Sequence, residues 1–424
     1  MPDNSWTGAA GAVAEVNPIL IALTWATGDS FDVTINKKSL VITIGSLTTT
    51  AQVAQTILEG FNGSAFTDTT ATVVPSGGGP DFIEHSELTA TVSGSTVTLT
   101  ADTAGVPWNI TDGLTIAATT AGDGTAEITG PTAATGPNFI DNVDNWSAGT
   151  VLAAGEDGWV FNSSVPMLYA LDALSAVGTL ASLNFAMTFT ADCGLPKTNA
   201  SGYVEFRQQY LEVDATVLRI HGQGTGSGRI KIDGQAVQSA VEIENTGAAV
   251  EVGIGAFIWK GTSAANTLTT QNGSLSVAPF DGETAQVLTS RLNGGNVDFG
   301  DGATFPASAT MEVLAADVSV RNSANHMKTV SVGSGTLTVF GSAAVDTSIT
   351  ITGGTVIWKS SGTIAAAVVG GATGGVLDFS QDNRARTVSA ATLNANGTII
   401  DPLRTVTWTG QITPGPDVEE INAT

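Results

Sequence analysis

The 424-residue chain has one cysteine, Cys193, so no disulfide can form within it and no staple holds its fold. Basic residues are scarce: 15 Lys and Arg stand against 39 Asp and Glu, a net charge of −24. Lys37 and Lys38 are the only basic residues before Lys197. A surface so poor in cations cannot displace counterions from a phosphate backbone, which excludes direct nucleic-acid binding. No window approaches eighteen uninterrupted apolar residues, which excludes a membrane-spanning helix. The start, Met1-Pro2-Asp3-Asn4-Ser5-Trp6, has neither the basic nor the apolar stretch of a secretory signal, so the product as written is expected to be soluble. Charged residues make up only 13% of the chain while 42% is hydrophobic, the reverse of a disordered composition. The chain folds.

What is present divides into two regimes. In the first, apolar spacing changes several times, as in a small mixed domain. Phe31-Asp32-Val33-Thr34-Ile35 alternates with period two, Asn36-Lys37-Lys38 reads as a turn, and Leu40 to Ile44 resumes the extended pattern. Thr48 to Thr50 offer N-cap hydroxyls to a helix over Gln52–Leu58, with Gly60 as its stop. Thr89–Val92, a Ser93-Gly94-Ser95 turn and Thr96–Thr100 make a second hairpin, and 109–116 is a candidate last strand. The expectation is a ββαββ domain over residues 1–120 with its helix on one face of the sheet. Residues 121–137 are small and polar and read as a linker.

Beyond the linker a short strand recurs that opens with glycine and carries apolar residues two and four positions later. It appears at Gly273 (Leu275, Val277), Gly295 (Val297, Phe299), Ala316 (Val318, Val320), Gly335 (Leu337, Val339), Gly354 (Val356, Trp358) and Gly375 (Leu377, Phe379). At Gly397 the pattern nearly holds, with Ile399 in the first place and Asp401 in the second, which marks the end of the column. Earlier extended pieces, such as Thr329–Val332, Ser348–Ile351 and Thr387–Ala390, imply two or three strands per turn. A period near twenty that yields strands without helices fits a right-handed parallel β-helix better than leucine-rich repeats or propeller blades. Over 138–412 it would hold on the order of 13 coils and reach about 60 Å at about 4.8 Å per coil. Residues 413–424 are left as a tail. The first coil needs a lid. Trp146 and Trp159 fit either that lid or ordinary core positions, and Pro166–Ala176 fits either a short capping helix or more solenoid.

No catalytic, cofactor-binding or metal-binding residue emerges. Asp298 and Asp378 occupy the same outward place four coils apart, roughly 19 Å, and cannot act as a pair. Asp301 and Asp382 read as turn carboxylates. His85, His221 and His326 are too scattered for a zinc motif, and Cys193 has no evident partner base, so it reads as a buried small hydrophobe. Gly222–Gly228 is glycine-rich but lacks the Lys-Ser/Thr and the helix of a phosphate loop. Ile258-Trp259-Lys260 and Ile357-Trp358-Lys359 repeat one another, as core tryptophans with exposed lysines or as a ligand stripe.

Trp6-Thr7-Gly8, Asp32–Asn36, the helix at Gln52–Leu58 and Gly105-Val106-Pro107-Trp108 together resemble a small domain of tailed-bacteriophage virion proteins. Asn145-Trp146-Ser147-Ala148-Gly149-Thr150-Val151 with Gly155-Glu156-Asp157 is similar to the opening motif of β-solenoid surface and phage proteins. The resemblance covers about the first 160 residues and brings no catalytic residues with it. It implies a non-enzymatic virion component without cofactors: a head decoration (cement) protein or a fibre-like appendage, a homotrimer that docks on the major capsid protein or on tail components. A bacterial surface adhesin and a polysaccharide-acting β-helix enzyme are the alternatives.

Overall fold

Asn4–Trp6 opens the chain as a short strand, and its partner lies 154 residues away: Asn4, Ser5 and Trp6 pair in parallel with Gly158, Trp159 and Val160. The computed structural model describes residues 4–108, the backbone of 115–119, and residues 124–222, 228–247, 254–321 and 326–415. The first strand thus belongs to the column that fills the second part of the chain. The α+β module is inserted between the column's first and second rungs.

The module contains two four-stranded antiparallel sheets where the sequence pattern implied one. Ser30–Ile35 and Lys38–Thr43 form the expected hairpin, turned by Asn36 and Lys37, both at positive φ as a tight hairpin turn requires. Leu88–Ser93 and Thr96–Ala101 form the second. Three strands escaped the pattern: Val16–Ala22, Thr72–Val74 and Thr125–Ile128. Val16–Ala22 carries Pro18, which argues against a paired strand, yet it lies between Thr96–Ala101 and Thr125–Ile128. Thr125–Ile128 falls inside the expected linker, and the limits at 120 and 137 therefore do not separate the units. Part of the candidate strand at 109–116 lies outside the described residues, while Thr115–Thr119 pairs with Ser30–Thr34.

The helix runs over Thr50–Phe61, with the Thr49 N–H and hydroxyl both donating to Gln52 Oε1 at 3.2 and 2.7 Å. Gly60 is inside it rather than at its stop. A Cβ there would meet the Ile42 side chain at 2.8 Å, so glycine permits the helix to lie close to the sheet. The turn comes at Gly63, at φ +65°. Phe31, Val33, Leu40, Ile42, Val53, Ile57, Val97 and Leu99 fill one core between helix and sheets.

The remainder is a parallel β-solenoid of about 12 turns, each near 21 residues. One sheet has thirteen strands and the other ten, and neighbouring strands within each are parallel. The inward column read from sequence is the observed one: Leu275, Val297, Val318, Leu337, Val356, Leu377 and Ile399 are in register. A parallel sheet stacks like on like, so each place in the core is a row of Val, Leu, Ile and Phe. The column does not end at Gly397. Gly397–Ile400 is the tenth strand of the smaller sheet, and Ile412–Pro414 the thirteenth of the larger. Asp401 lies in the turn between them, where its carboxylate accepts the Thr405 and Val406 amides at 2.9 and 3.2 Å. Residues 416–424 of the tail lie outside the described residues.

At the first coil Trp6 and Trp146 are buried edge to face, ring centres 5.5 Å apart. Trp146 therefore closes the start of the core. Trp159 points outward and stacks on His221. No α-helix forms over Pro166–Ala176: Met167 bridges Cys193, which bridges Ile230, so the segment is one more run of solenoid.

Candidate functional site

Most positions named from the sequence are structural. Asp298 holds Arg321 at 2.7 Å, Asp378 accepts the Ser380 amide at 2.7 Å, and Asp382 pairs with Arg384 and Arg386 at 3.5 Å. Asp301 sits in the turn after Asn296–Phe299. His221 faces Glu244 at 3.2 Å and His326 faces Asp346 at 3.0 Å, while His85 is buried in the inserted module. Among the described residues no three metal-ligating side chains gather. Cys193 is fully buried, and burial pushes its thiol pKa far up, which leaves it unreactive. Most of the glycine-rich run at Gly222–Gly228 lies outside the described residues. Trp259 and Trp358 are core residues of one inward row.

Lys260, however, belongs to a constellation that sequence spacing did not bring together. Leu211–Glu212, Ile230–Asp233 and Phe257–Lys260 are the first three strands of the smaller sheet. Leu211, Ile232 and Trp259 share the inward row, so by alternation Glu212, Asp233 and Lys260 share an outward one, with Lys231 also outward. Lys260 Nζ lies 3.0 Å from Asp233 Oδ2. Glu212 accepts the Gln208 amide at 2.6 Å, and its carboxyl pKa is raised, first by burial and then by Asp233 and Asp172. Two carboxylates on adjacent coils thus occupy different electrostatic surroundings.

Beside them, three of the chain's lysines alternate with two rings. Lys197 Nζ lies 4.9 Å from the centre of Phe280, Lys231 Nζ lies 5.1 Å from Phe280 and 4.6 Å from Tyr210, and Lys260 Nζ lies 4.6 Å from Tyr210. Lys231 is fully buried and donates to Gln209 Oε1 at 3.0 Å. Burying an ammonium costs several kcal/mol before its contacts offset the loss of water. A face built only for stiffness has no need of one.

The wall on the other side is a buried network that also ties the inserted module to the column. Arg207 makes two bonds to Glu205, at 2.7 and 3.1 Å, donates to the Pro107 carbonyl at 2.9 Å and to the Tyr203 hydroxyl at 2.9 Å, and lies 3.5 Å from Glu87. Tyr203 in turn donates to Glu87. Burial works against the Arg207 charge, but Glu205, Tyr203 and Glu87 more than offset it and its pKa is raised. Between this wall and the lysine ladder lies a cavity of about 320 Å³ lined by Lys197, Gln208, Gln209, Lys260, Phe280 and Glu283, among others. A broader hollow of about 600 Å³ lies midway along the column, lined largely by Ser, Asn, Asp and Thr without an aromatic ring.

None of the family models, curated proteins or solved structures compared with the chain matches it.

Proposed function

We propose that the protein is a non-enzymatic structural component of a bacteriophage particle, a decorating or fibre-like appendage in which the column serves as a stiff spacer and three copies associate. The observation that carries this reading is the uninterrupted parallel stack of about 12 turns. At about 4.8 Å per turn such a stack is roughly 55 Å long, and bending it requires stretching backbone hydrogen bonds in both sheets together. The buried aromatic pair at its start and the latch at Arg207 attach the inserted module firmly, as docking through that module would demand. The phage assignment rests on the residue-level resemblance of the first 160 residues. The high negative charge keeps copies apart until they dock.

Two measurements test it. Mass spectrometry and electron microscopy of purified particles should find the chain at a fixed copy number, and mass photometry of the free protein should give three times the 42.8 kDa chain mass. Labelling of the protein on bacterial cells, with none in particles, would favour a surface adhesin. Release of reducing ends from host polysaccharide would overturn the non-enzymatic reading.

A further inference from the structure

The cavity at the start of the smaller sheet has a chemistry that a spacer does not require. The cations that line it, Lys197, Arg207 and Lys260, are matched by Glu205, Asp281 and Glu283 in the same walls. Arg207 is already held by Glu205 and Lys260 by Asp233. The site therefore has little net charge, and the −24 charge of the whole molecule opposes any polyanion. What remains is a set of hydrogen-bond donors and acceptors of both kinds, with Gln208 and Gln209 half-buried between them, and the half-buried rings of Phe206 and Phe280.

We propose that this cavity binds a neutral saccharide segment. A sugar hydroxyl both donates and accepts, so it needs mixed partners: an ammonium or amide N–H on one side, a carboxylate or amide oxygen on the other. Its C–H face needs an apolar ring. An anion would need unbalanced cations, and an apolar ligand would leave the amides and charges unpaired. The volume of about 320 Å³ is at the low end of small-molecule sites, which fits a short stretch of glycan. Lys260 projects from a strand in fixed register and the Arg207 network pins the loop at 203–207, so little ordering of those walls is needed on binding. This inference goes beyond the mechanical reading and does not depend on a phage origin.

The test uses the full chain against neutral hexasaccharides of hexose and of N-acetylhexosamine, and against uronate-bearing hexasaccharides, by microarray and titration calorimetry. At least one neutral hexasaccharide should bind with a dissociation constant of millimolar or better. Phe280→Ala and Lys197→Gln should each weaken it tenfold or more, while Arg384→Gln, exposed near the far end of the column, should leave it unchanged. Lys197 is exposed, so its variant reports on binding even if Phe280→Ala fails to fold. Absence of neutral-glycan binding, binding confined to uronate-bearing sugars, or Lys197→Gln binding as tightly as the unmodified chain would each overturn the proposal. Such a failure would leave the mechanical reading untouched, because that rests on particle composition and oligomer mass.

Discussion

Arg207 shows how much one side chain can join. It has only 5% of its side chain exposed, and it gathers Glu205 from its own loop with Glu87 and Pro107 from the inserted module. Arg207→Ala would leave two carboxylates facing each other without a cation, and its expected cost is about 3–5 kcal/mol, measurable by chemical denaturation. His85 is the second such residue. It is buried between Phe61 and Phe82, with Lys38 and Glu84 as the nearest charges, and burial lowers its pKa from the ordinary 6.5 to about 4. Between those values the unfolded chain binds a proton there and the folded chain does not. The contribution is complete above about pH 6.5 and is lost as pH falls to 4, a change of about 3 kcal/mol. Asp68 acts in the same direction: the Leu47 amide foremost, with Thr70, holds its carboxyl well below the usual range, so its contribution is present above the ordinary carboxylate pKa and lost in acid. Hydrogen exchange across pH 7 to 4 should show the inserted module opening before the column, and His85→Leu should flatten that dependence.

At the scale of the element, the corner glycines set the coil. Gly295, Gly335 and Gly354 all have positive φ, and a Cβ on Gly335 would lie 2.2 Å from the Ala316 carbonyl oxygen of the previous coil. Gly335→Ala should therefore lower stability by about 1–3 kcal/mol, through backbone strain and the pushed-apart coils. Gly333→Ala, two residues earlier, meets nothing closer than 3.5 Å and should change stability by about 0.5 kcal/mol or less; thermal melts of the two variants make the comparison. The same steric logic explains why the column was legible in sequence. Rung after rung repeats a corner, most often glycine and once Ala316, followed by the two inward apolar places, and residues that keep that spacing stack. Val16–Ala22 had no such signal: a proline in the strand hid a pairing that exists because two neighbouring strands flank it.

For the whole molecule, a stack held by nearest-neighbour contacts should tolerate loss of one unit. Deleting residues 336–354 joins Gly335 to Thr355 and keeps the inward rows continuous, since Thr336 and Thr355 are register partners. The shortened chain is expected to fold, with a column about 4.8 Å shorter by small-angle scattering or electron microscopy. A deletion of ten residues in the same place would break the register and should yield aggregated protein.

The sequence by itself determined the column, because stacking like on like leaves a periodic trace in the order of residues. It also determined the two hairpins and the helix of the inserted module, whose signals lie within a few residues of one another. Only the tertiary structure decided that Asn4–Trp6 belongs to the column, since strand pairing across 154 residues leaves no local mark. The site was decided there too. Lys197, Tyr210, Glu212, Lys231, Asp233, Lys260 and Phe280 converge because irregular early coils of differing length bring their outward faces and loops to one place. Convergence of that kind follows from the winding of the chain and has no period to read.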